Sequence, residues 1–241
     1  MRLISFAALA AAWGLAAEIL DNRNLPSPLA VADSIFDHTI EGDLLASIGV
    51  TLARAAIAFL ISMIVGVAVG LAMGRRKILD RFFDGWLVLG LNMPALVVAI
   101  LCYIWLGLSE FALILAVCIN KIPTVVATIR EGARAIEPEL LQVGMVFRLP
   151  KHKQLQHIYL PQLYPYVVAS ARSGLALIWK IVLLLELLGQ GSGIGFQLQV
   201  FFQFFDIESI LAYAFAFIGV IIAIEALLMR PLEKRLTAWR L

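Results

Sequence analysis

Residues 47–73 read SIGVTLARAAIAFLISMIVGVAVGLAM, and the basic triplet Arg75-Arg76-Lys77 follows after one glycine. An α-helix needs about 20 predominantly apolar residues to cross the roughly 30 Å hydrocarbon layer of a bilayer. This segment is long enough, and its single charged residue is Arg54. Because short cytoplasmic loops retain Lys and Arg, the segment predicts a transmembrane helix that ends at the cytoplasmic surface. Arg54, near the other end, is expected to extend its charged group to the interface.

The composition of the whole chain extends this interpretation. Hydrophobic residues make up 62% of the 241 positions and charged residues 15%, whereas ordinary globular chains have about 45–50% and about 25%. A net charge of +2 and the absence of a long basic run argue against nucleic-acid binding. Cys102 and Cys118 lie in apolar stretches and suggest neither disulfides nor a metal site. The sequence therefore predicts an all-α, polytopic membrane protein.

Six segments are apolar and long enough to be predicted as transmembrane helices. Their expected bounds are 3–20, 47–73, 85–108, 111–129, 163–188 and 210–229. The first could instead be a signal peptide, since Arg2 precedes an Ala-rich apolar run. We expect an uncleaved span, because Glu18 and Asp21 stand where a cleavage site should be small and neutral. The chain is then a single membrane domain over residues 1–241.

The distribution of basic residues predicts the orientation of these spans. If the N-terminus is cytoplasmic, the inner segments hold 14 of the 19 Lys and Arg residues. The outer loops, expected at 21–46 and 189–209, hold only Arg23. Since cytoplasmic loops carry the excess of basic residues, both termini are predicted to be cytoplasmic. The other four basic residues lie within spans and are Arg54, Lys121, Arg172 and Lys180.

The longest inner segment, residues 130–162, reads REGARAIEPELLQVGMVFRLPKHKQLQHIYLPQ. Connections between neighbouring helices usually have about 2–8 residues, so this loop has room for an element of its own. Pro138 suits the first turn of a helix, Glu137 and Glu139 favour its N-terminus, and Pro150 is expected to stop it. A short helix on the cytoplasmic face is predicted. It either lies among lipid headgroups or docks on a cytoplasmic partner.

The end of this segment resembles the EAA loop of ABC-importer permeases, which lies between the fourth and fifth of six spans and ends in I-x-L-P. Ile158, Leu160 and Pro161 match that ending. Counting back 19 residues from Pro161 puts the family's Glu on Gln142 and its glycine on Arg148. The EAA triplet and the glycine are therefore absent, and the motif is half present.

Other segments are similar to the nitrate, sulfonate and taurine branch of these permeases. Ile136–Leu141 (IEPELL) resembles the lead-in to the loop. Trp179–Gly189 (WKIVLLLELLG), followed by Gly193-Ile194-Gly195, resembles the exit of the fifth span. Arg230–Arg235 (RPLEKR) is similar to the end of such chains, and the resemblance covers roughly residues 45 to 240.

The resemblance implies a transport subunit rather than an enzyme. In the family, two permeases, here expected to be a homodimer, assemble with two ATPase subunits and an extracytoplasmic solute-binding protein in the bacterial inner membrane. ATP and Mg bind the ATPase, so this chain is expected to hold no cofactor and no metal. The helix of the loop couples the ATPase to the spans. The implied coupling residues are Glu137, Pro138, Glu139, Leu140, Leu141, Gln142, Gly144, Phe147, Arg148, Ile158, Leu160 and Pro161.

Polar side chains within the spans are candidates for lining a transport pathway. An intramembrane charge costs roughly 2.5–3.5 kcal/mol on insertion scales, so it suggests a functional role by default. A basic side chain in the pathway would offset the desolvation of an anionic solute such as nitrate or a sulfonate. The alternative is ion pairing between helices. The candidates are Asn92, Asn120, Lys121, Arg172 and Lys180.

Two further features leave alternatives open. Ser62, Gly66, Gly70 and Gly74 recur every four residues, a spacing that lets helices approach closely within one subunit or at a dimer interface. The intramembrane Lys and Glu residues would also suit an ion- or proton-coupled secondary carrier. Inverted repeats would favour such a carrier, and the sequence has none. No catalytic arrangement of Ser, His, Asp or Cys is present, and lipid is the expected surrounding.

Overall fold

The computed structural model describes residues 2–20, 24–229 and Pro231. Every regular element in this part of the chain is helical, which confirms the all-α class. In chain order the helices are α1 Arg2–Leu20, α2 Pro28–Ile40, α3 Leu44–Arg75, α4 Lys77–Asn92, α5 Ala95–Leu106, α6 Glu110–Arg134, α7 Pro138–Val146, α8 Lys151–Gln154, α9 Leu160–Gly189, α10 Ile194–Gln203 and α11 Ile207–Ile224. The π-helical turns Leu155–Tyr159 and Glu225–Met229 follow α8 and α11. Arg23 and the basic C-terminal residues behind the predicted orientation lie outside the described residues, as does most of the RPLEKR segment.

Four helices of the described chain are long and apolar enough to cross a membrane. They are α3, α6, α9 with the turns that lead into it, and α11. The pair α4 and α5 gives a fifth span if it is counted as one broken helix. The apolar part of α1, Ile4–Leu20, is shorter. The described residues thus form a multi-pass membrane protein with four or five spans, and the sixth stays a prediction.

The third predicted span, 85–108, is wrong as a single helix. The chain instead forms α4 and α5, whose axes differ by 96° at the break between them. Pro94 has no N–H to continue α4 and disfavours helical geometry in the residue before it. That residue, Met93, accordingly has an extended ψ of 121°. The early turns of α4 also escaped the prediction, because Asp80, Arg81 and Asp84 interrupt its apolar pattern.

The chain divides into two compact units. The first unit contains residues 1–53 and 183–224, and the second contains 54–182 and 225–241. The division falls within α3 and α9, so each of these helices contributes to both units. The prediction of one membrane domain over residues 1–241 stays a prediction.

In the first unit, the helix α2 lies in the segment 21–46, which the sequence predicts as an outer loop. Its start follows from local chemistry, since Ser27 Oγ accepts a hydrogen bond from the Ala30 N–H at 3.2 Å and Pro28 occupies the first turn. The His38 ring of α2 packs edge-on against Tyr213 of α11 at 5.1 Å between ring centroids. Its Nε2 shares a 2.9 Å hydrogen bond with Ser209 Oγ. These contacts hold α2 against α11.

In the second unit, the small residues of α3 pack against α6. A Cβ atom added at Gly70 would lie 2.8 Å from the Cβ of Ile129 and 2.9 Å from the Val126 carbonyl oxygen. A Cβ atom added at Gly66 or Gly74, one turn to either side, would lie 2.5 Å from a side-chain carbon of α6. The spacing of small residues therefore serves close packing within the subunit, the first of the two alternatives, and it brings the C-terminal halves of α3 and α6 together.

Replacing Gly70 by valine should lower the free energy of unfolding by about 1–3 kcal/mol, because the new side chain must displace backbone as well as side-chain atoms of α6. The measurement is unfolding of the detergent-solubilised protein by SDS, followed by tryptophan fluorescence. Gly49→Val is the matched control on the same helix, since a Cβ at Gly49 meets no atom within 4 Å. Equal stability of the two variants would contradict the packing role.

Candidate functional site

The loop predicted to lie on the inner side contains a short helix where the sequence predicts one. The helix α7 begins at Pro138, as expected, and the preceding Glu137 donates its N–H to the Gln162 Oε1 of α9 at 3.1 Å. The expectation that Pro150 stops this helix is wrong, because α7 ends at Val146, four residues earlier. The N–H of Arg148 closes the end by donating to the Met145 carbonyl oxygen at 2.9 Å.

Arg148 explains this early end. Its φ of 49° lies in the left-handed region, which costs an L-residue about 1–2 kcal/mol and costs glycine almost nothing. This is the position where the resemblance places the family's glycine. The turn that a glycine would favour is thus formed here with an arginine in its place.

The C-terminal end of α7 presents apolar side chains to the surroundings. Met145, Val146 and Phe147 are 59%, 79% and 74% exposed, and Leu140 is 42% exposed. The polar Glu139 and Gln142 are exposed as well. We call Met145, Val146 and Phe147 the apolar tip. Three consecutive exposed apolar residues at the end of a helix are typical of a surface that another molecule covers.

The I-x-L-P segment forms the junction between the loop and α9. Proline cannot donate the backbone hydrogen bond of a regular helix, and the chain before Pro161 widens into the π-helical turn Leu155–Tyr159. The Leu160 N–H accordingly donates to the Leu155 carbonyl oxygen, five residues back. Tyr159 is buried, with the Arg75 guanidinium 4.7 Å from its ring centroid, and Ile158 is half-buried. The segment thus anchors the start of α9 to the end of α3.

The amides predicted to line a pathway lie at the break between α4 and α5. Asn92 Nδ2 donates to the Val88 carbonyl oxygen at 2.8 Å. Asn120 Nδ2, from α6, is 3.4 Å from the Met93 carbonyl oxygen. Backbone groups at a helix break inside a membrane need such partners. Asn120 therefore partners a backbone group at the break, whereas Asn92 bonds a carbonyl within α4.

Lys121 is the unusual charge of the second unit. Its side chain is 2% exposed, and its Nζ has no hydrogen-bond partner among the described residues. A Cβ added at Gly174 of α9 would lie 2.9 Å from Lys121 Cε. The ammonium group is therefore held between α6 and α9, in a space that only a glycine leaves open.

Two buried hydroxyl groups lie on α3 and α9, the helices that pack against α6. Ser62 lies on α3 between Ala58 and Gly66, which contact Cys118 and Val125 of α6, and it therefore faces α6. Ser170 lies one turn before Gly174 on α9. Both hydroxyl oxygens are buried without a hydrogen-bond partner in the described part of the chain. We call Ser62, Lys121 and Ser170 the lysine cluster.

The remaining intramembrane cations have other environments. Arg172 forms an ion pair with Glu225 at 3.2 Å, as the pairing alternative predicts. Lys180 is exposed on α9. The side chain of Arg54 is 4% exposed, and its Nε donates to Glu110 Oε2 at 2.8 Å. Its expected extension to the membrane interface stays a prediction. The partner Glu110 lies 56 residues away in sequence, so a single sequence could not identify it.

A buried carboxylate in the first unit is not among the site residues predicted from the sequence. Glu186 is fully buried, and its two oxygens accept from the Thr51 hydroxyl at 3.0 and 2.8 Å. The Gly195 N–H donates to the same carboxylate at 2.9 Å, and the Ile194 N–H donates to Thr51 Oγ1 at 2.9 Å. We call Thr51, Glu186, Ile194 and Gly195 the carboxylate network. The Gly193-Ile194-Gly195 string was the available signal, since Gly193 has a φ of 98° and a Cβ at Gly195 would lie 2.6 Å from Glu186 Cβ.

The described helices define a multi-pass helical membrane protein. Comparison with known proteins specifies its family. Residues 62–237 match the family described as "Binding-protein-dependent transport system inner membrane component". This match spans more than half of the chain, and the protein belongs to that family. It is a permease component of an ABC importer, a transport subunit that works with an ATPase and a solute-binding protein. Membership in this family excludes the alternative that the protein is an ion- or proton-coupled secondary carrier.

Several curated relatives are similar over most of their length. The chain is 26% identical over 216 residues to SsuC of Bacillus subtilis (strain 168), which is named for transport of aliphatic sulfonates; the alignment covers 90% of this chain and 78% of the relative. It is 25% identical over 233 residues to the taurine transport system permease protein TauC of Escherichia coli (strain K12), covering 94% and 84%. It is 26% identical over 185 residues to the nitrate import permease protein NrtB of a Synechocystis strain, covering 73% and 67%. These names agree with the predicted branch.

Proposed function

We propose that this permease imports a small anion, and that α7 is the coupling helix through which an ATPase drives it. The observation that carries the proposal is the apolar tip of α7, Met145 to Phe147, exposed on a loop whose two ends lie against helices of the second unit. ATP and Mg belong to the ATPase, of which we expect two copies. A second copy of the permease completes the proposed assembly.

The contacts of the loop suit a mechanical connection between an ATPase and the spans. At the start of the loop, the Glu137 N–H donates a hydrogen bond to Gln162 Oε1 of α9. Arg134, at the end of α6, pairs with Asp80 of α4 at 2.5 Å. A force on α7 would therefore reach α4, α6 and α9 through short contacts. Helices that shift as rigid bodies are the usual means of converting such a force into alternating access.

The proposed solute class rests on the lysine cluster and on the relatives. Nitrate, taurine and aliphatic sulfonates, for which the relatives are named, all carry a negatively charged group at neutral pH. An unpaired ammonium inside a membrane is expensive unless an anion visits it. We assign Lys121 the role of that counter-charge, with Lys180 as a second cation where α9 is exposed.

The proposed topology has six spans with both termini in the cytoplasm of a bacterial cell. In this arrangement α1 is the first span and the broken pair α4–α5 is the third. The loop that contains α7 then faces the ATPase, and the loop between α9 and α11 faces the solute-binding protein. The basic residues at the ends of α3 and α6 support this orientation.

Replacing Phe147 by arginine tests the coupling role. Arginine at the apolar tip should abolish co-purification of the ATPase subunit and reduce uptake at least tenfold, because an unpaired charge would enter an apolar contact. The free energy of unfolding should change by less than about 0.5 kcal/mol, since the side chain is exposed. Pull-down, uptake into proteoliposomes and SDS unfolding are measured together.

The matched control is Gln156→Arg, which adds the same charge at an exposed position of the same inner loop. It should leave co-purification and uptake unchanged. The coupling role is refuted if Phe147→Arg still binds the ATPase and transports like the control. Loss of transport with retained ATPase binding would place the contact elsewhere on the loop.

A further inference from the structure

An apolar cavity lies between α3, α4 and α6 in the second unit. Its volume is about 340 Å³, within the range of ligand sites, about 300–1,000 Å³. All its lining residues are apolar, among them Ala72 of α3, Phe83 and Leu87 of α4 and Pro123 of α6. The cavity lies beside the last two turns of α3, at one end of the apolar layer.

A basic pocket adjoins this cavity, and Met73 lines both. The pocket has a volume of about 380 Å³, and its charged lining residues are Lys77, Asp80, Arg81 and Arg134. Lys77 and Arg81 are four residues apart on α4 and therefore share a face of that helix. Near its start α4 thus presents Lys77 and Arg81 to this pocket, and it presents apolar residues, mainly of its later turns, to the cavity.

The acidic residue of the pocket is already neutralised. Asp80 pairs with Arg134 at 2.5 Å and lies 3.5 Å from Arg130. Lys77 and Arg81 are exposed and form no ion pair within the described residues. The pocket therefore offers two uncompensated cations directly beside an apolar cavity.

We propose that the cavity and the pocket together bind one anionic glycerophospholipid of the bilayer. The phosphate headgroup would lie between Lys77 and Arg81, and part of an acyl chain would occupy the cavity. A zwitterionic lipid has the same phosphate but adds a positively charged group next to the two cations, so an anionic headgroup is favoured. Basic pockets between helices at the cytoplasmic end of the apolar layer are known to favour anionic headgroups. This site is separate from α7 and from the lysine cluster.

The geometry favours a lipid over a free anion or a second copy of the chain. A free phosphate would need only the basic pocket and would leave the apolar cavity empty. An apolar helix from a second copy would fill the cavity but would provide no negative charge for Lys77 and Arg81. A lipid has a charged headgroup joined to apolar chains, and the basic pocket and the apolar cavity are adjacent in the same way.

The test is native mass spectrometry of the full chain, co-purified with its ATPase and titrated with dioleoyl phosphatidylglycerol or dioleoyl phosphatidylethanolamine. The phosphatidylglycerol should be retained about tenfold better. The double variant Lys77→Gln, Arg81→Gln should reduce its retention about tenfold, to the level of the phosphatidylethanolamine, whose own retention should change much less. The control Arg76→Gln, Lys153→Gln removes the same charge from exposed positions outside the pocket and should retain the preference.

The cavity is tested by Ala72→Phe, which fills it and should reduce retention of both lipids. Glycerophosphoglycerol and inorganic phosphate at millimolar concentration should not displace the bound lipid. Equal retention of the two lipids by the wild-type protein would overturn the proposal, as would equal losses in the double variant and its control. Displacement by inorganic phosphate would identify a free-anion site instead. Dissociation of a permease dimer by Ala72→Phe, with lipid retention unchanged, would identify the face as an interface between copies.

Discussion

Replacing Glu186 by alanine is expected to lower the free energy of unfolding by about 3–4 kcal/mol. The carboxylate accepts from the Thr51 hydroxyl and from the Gly195 N–H, and both donors are buried. Each buried donor left without a partner costs about 1–3 kcal/mol. The carboxylate also lies at the N-terminus of α10, where a negative charge is favourable. SDS unfolding of the purified protein in detergent measures the loss.

Two further variants separate the hydrogen bonds from the loss of volume. Glu186→Gln keeps the shape but turns an acceptor into a donor, so it should lose about 1.5–3 kcal/mol. Thr51→Val combined with Glu186→Gln should cost less than the sum of the two single changes, since both remove the same interaction. Glu41→Ala, at an exposed position of the same unit, should change stability by less than about 0.5 kcal/mol. If Glu186→Ala unfolds at the same SDS concentration as Glu41→Ala, the carboxylate network does not stabilise the first unit.

The sequence predicts the long spans of this protein well because burial in lipid leaves a strong local pattern. The predicted bounds 47–73, 111–129 and 163–188 all lie within observed helices, and the helix of the inner loop begins at the predicted proline. The third span was misjudged because its first helix is amphipathic. A hydropathy pattern indicates which residues suit lipid, but not that Pro94 turns the chain by 96°.

The candidate site is only partly predictable for a different reason. An intramembrane lysine is visible in the sequence, so Lys121 could be singled out. Whether it has a counter-charge depends on residues from other helices, as the pairs Arg54–Glu110 and Arg172–Glu225 show. Those partners are 56 and 53 residues apart in sequence. Without a local pattern to connect them, one sequence cannot tell a paired cation from an unpaired one.

Replacing Lys121 by methionine is expected to stabilise the protein while it impairs transport. Methionine fills similar space without a charge, and it removes an intramembrane cation that costs roughly 2.5–3.5 kcal/mol on insertion scales. If the ammonium meets the anion during import, losing one charge-assisted hydrogen bond of about 1.5–3 kcal/mol should reduce uptake about ten- to a hundredfold. Uptake of nitrate, taurine and an alkanesulfonate into proteoliposomes is measured beside SDS unfolding and ATPase co-purification.

The opposite signs of the two effects make this test decisive. A lysine that only holds α6 and α9 together would lose stability and transport in parallel when it is replaced. Lys180→Met supplies the control for stability, because that side chain is exposed and its replacement should change unfolding by less than about 0.5 kcal/mol. Greater stability of Lys121→Met with unimpaired uptake would rule out the counter-charge role. Greater stability with lost uptake would show that the fold retains an unfavourable charge because transport requires it, a trade-off common at functional sites.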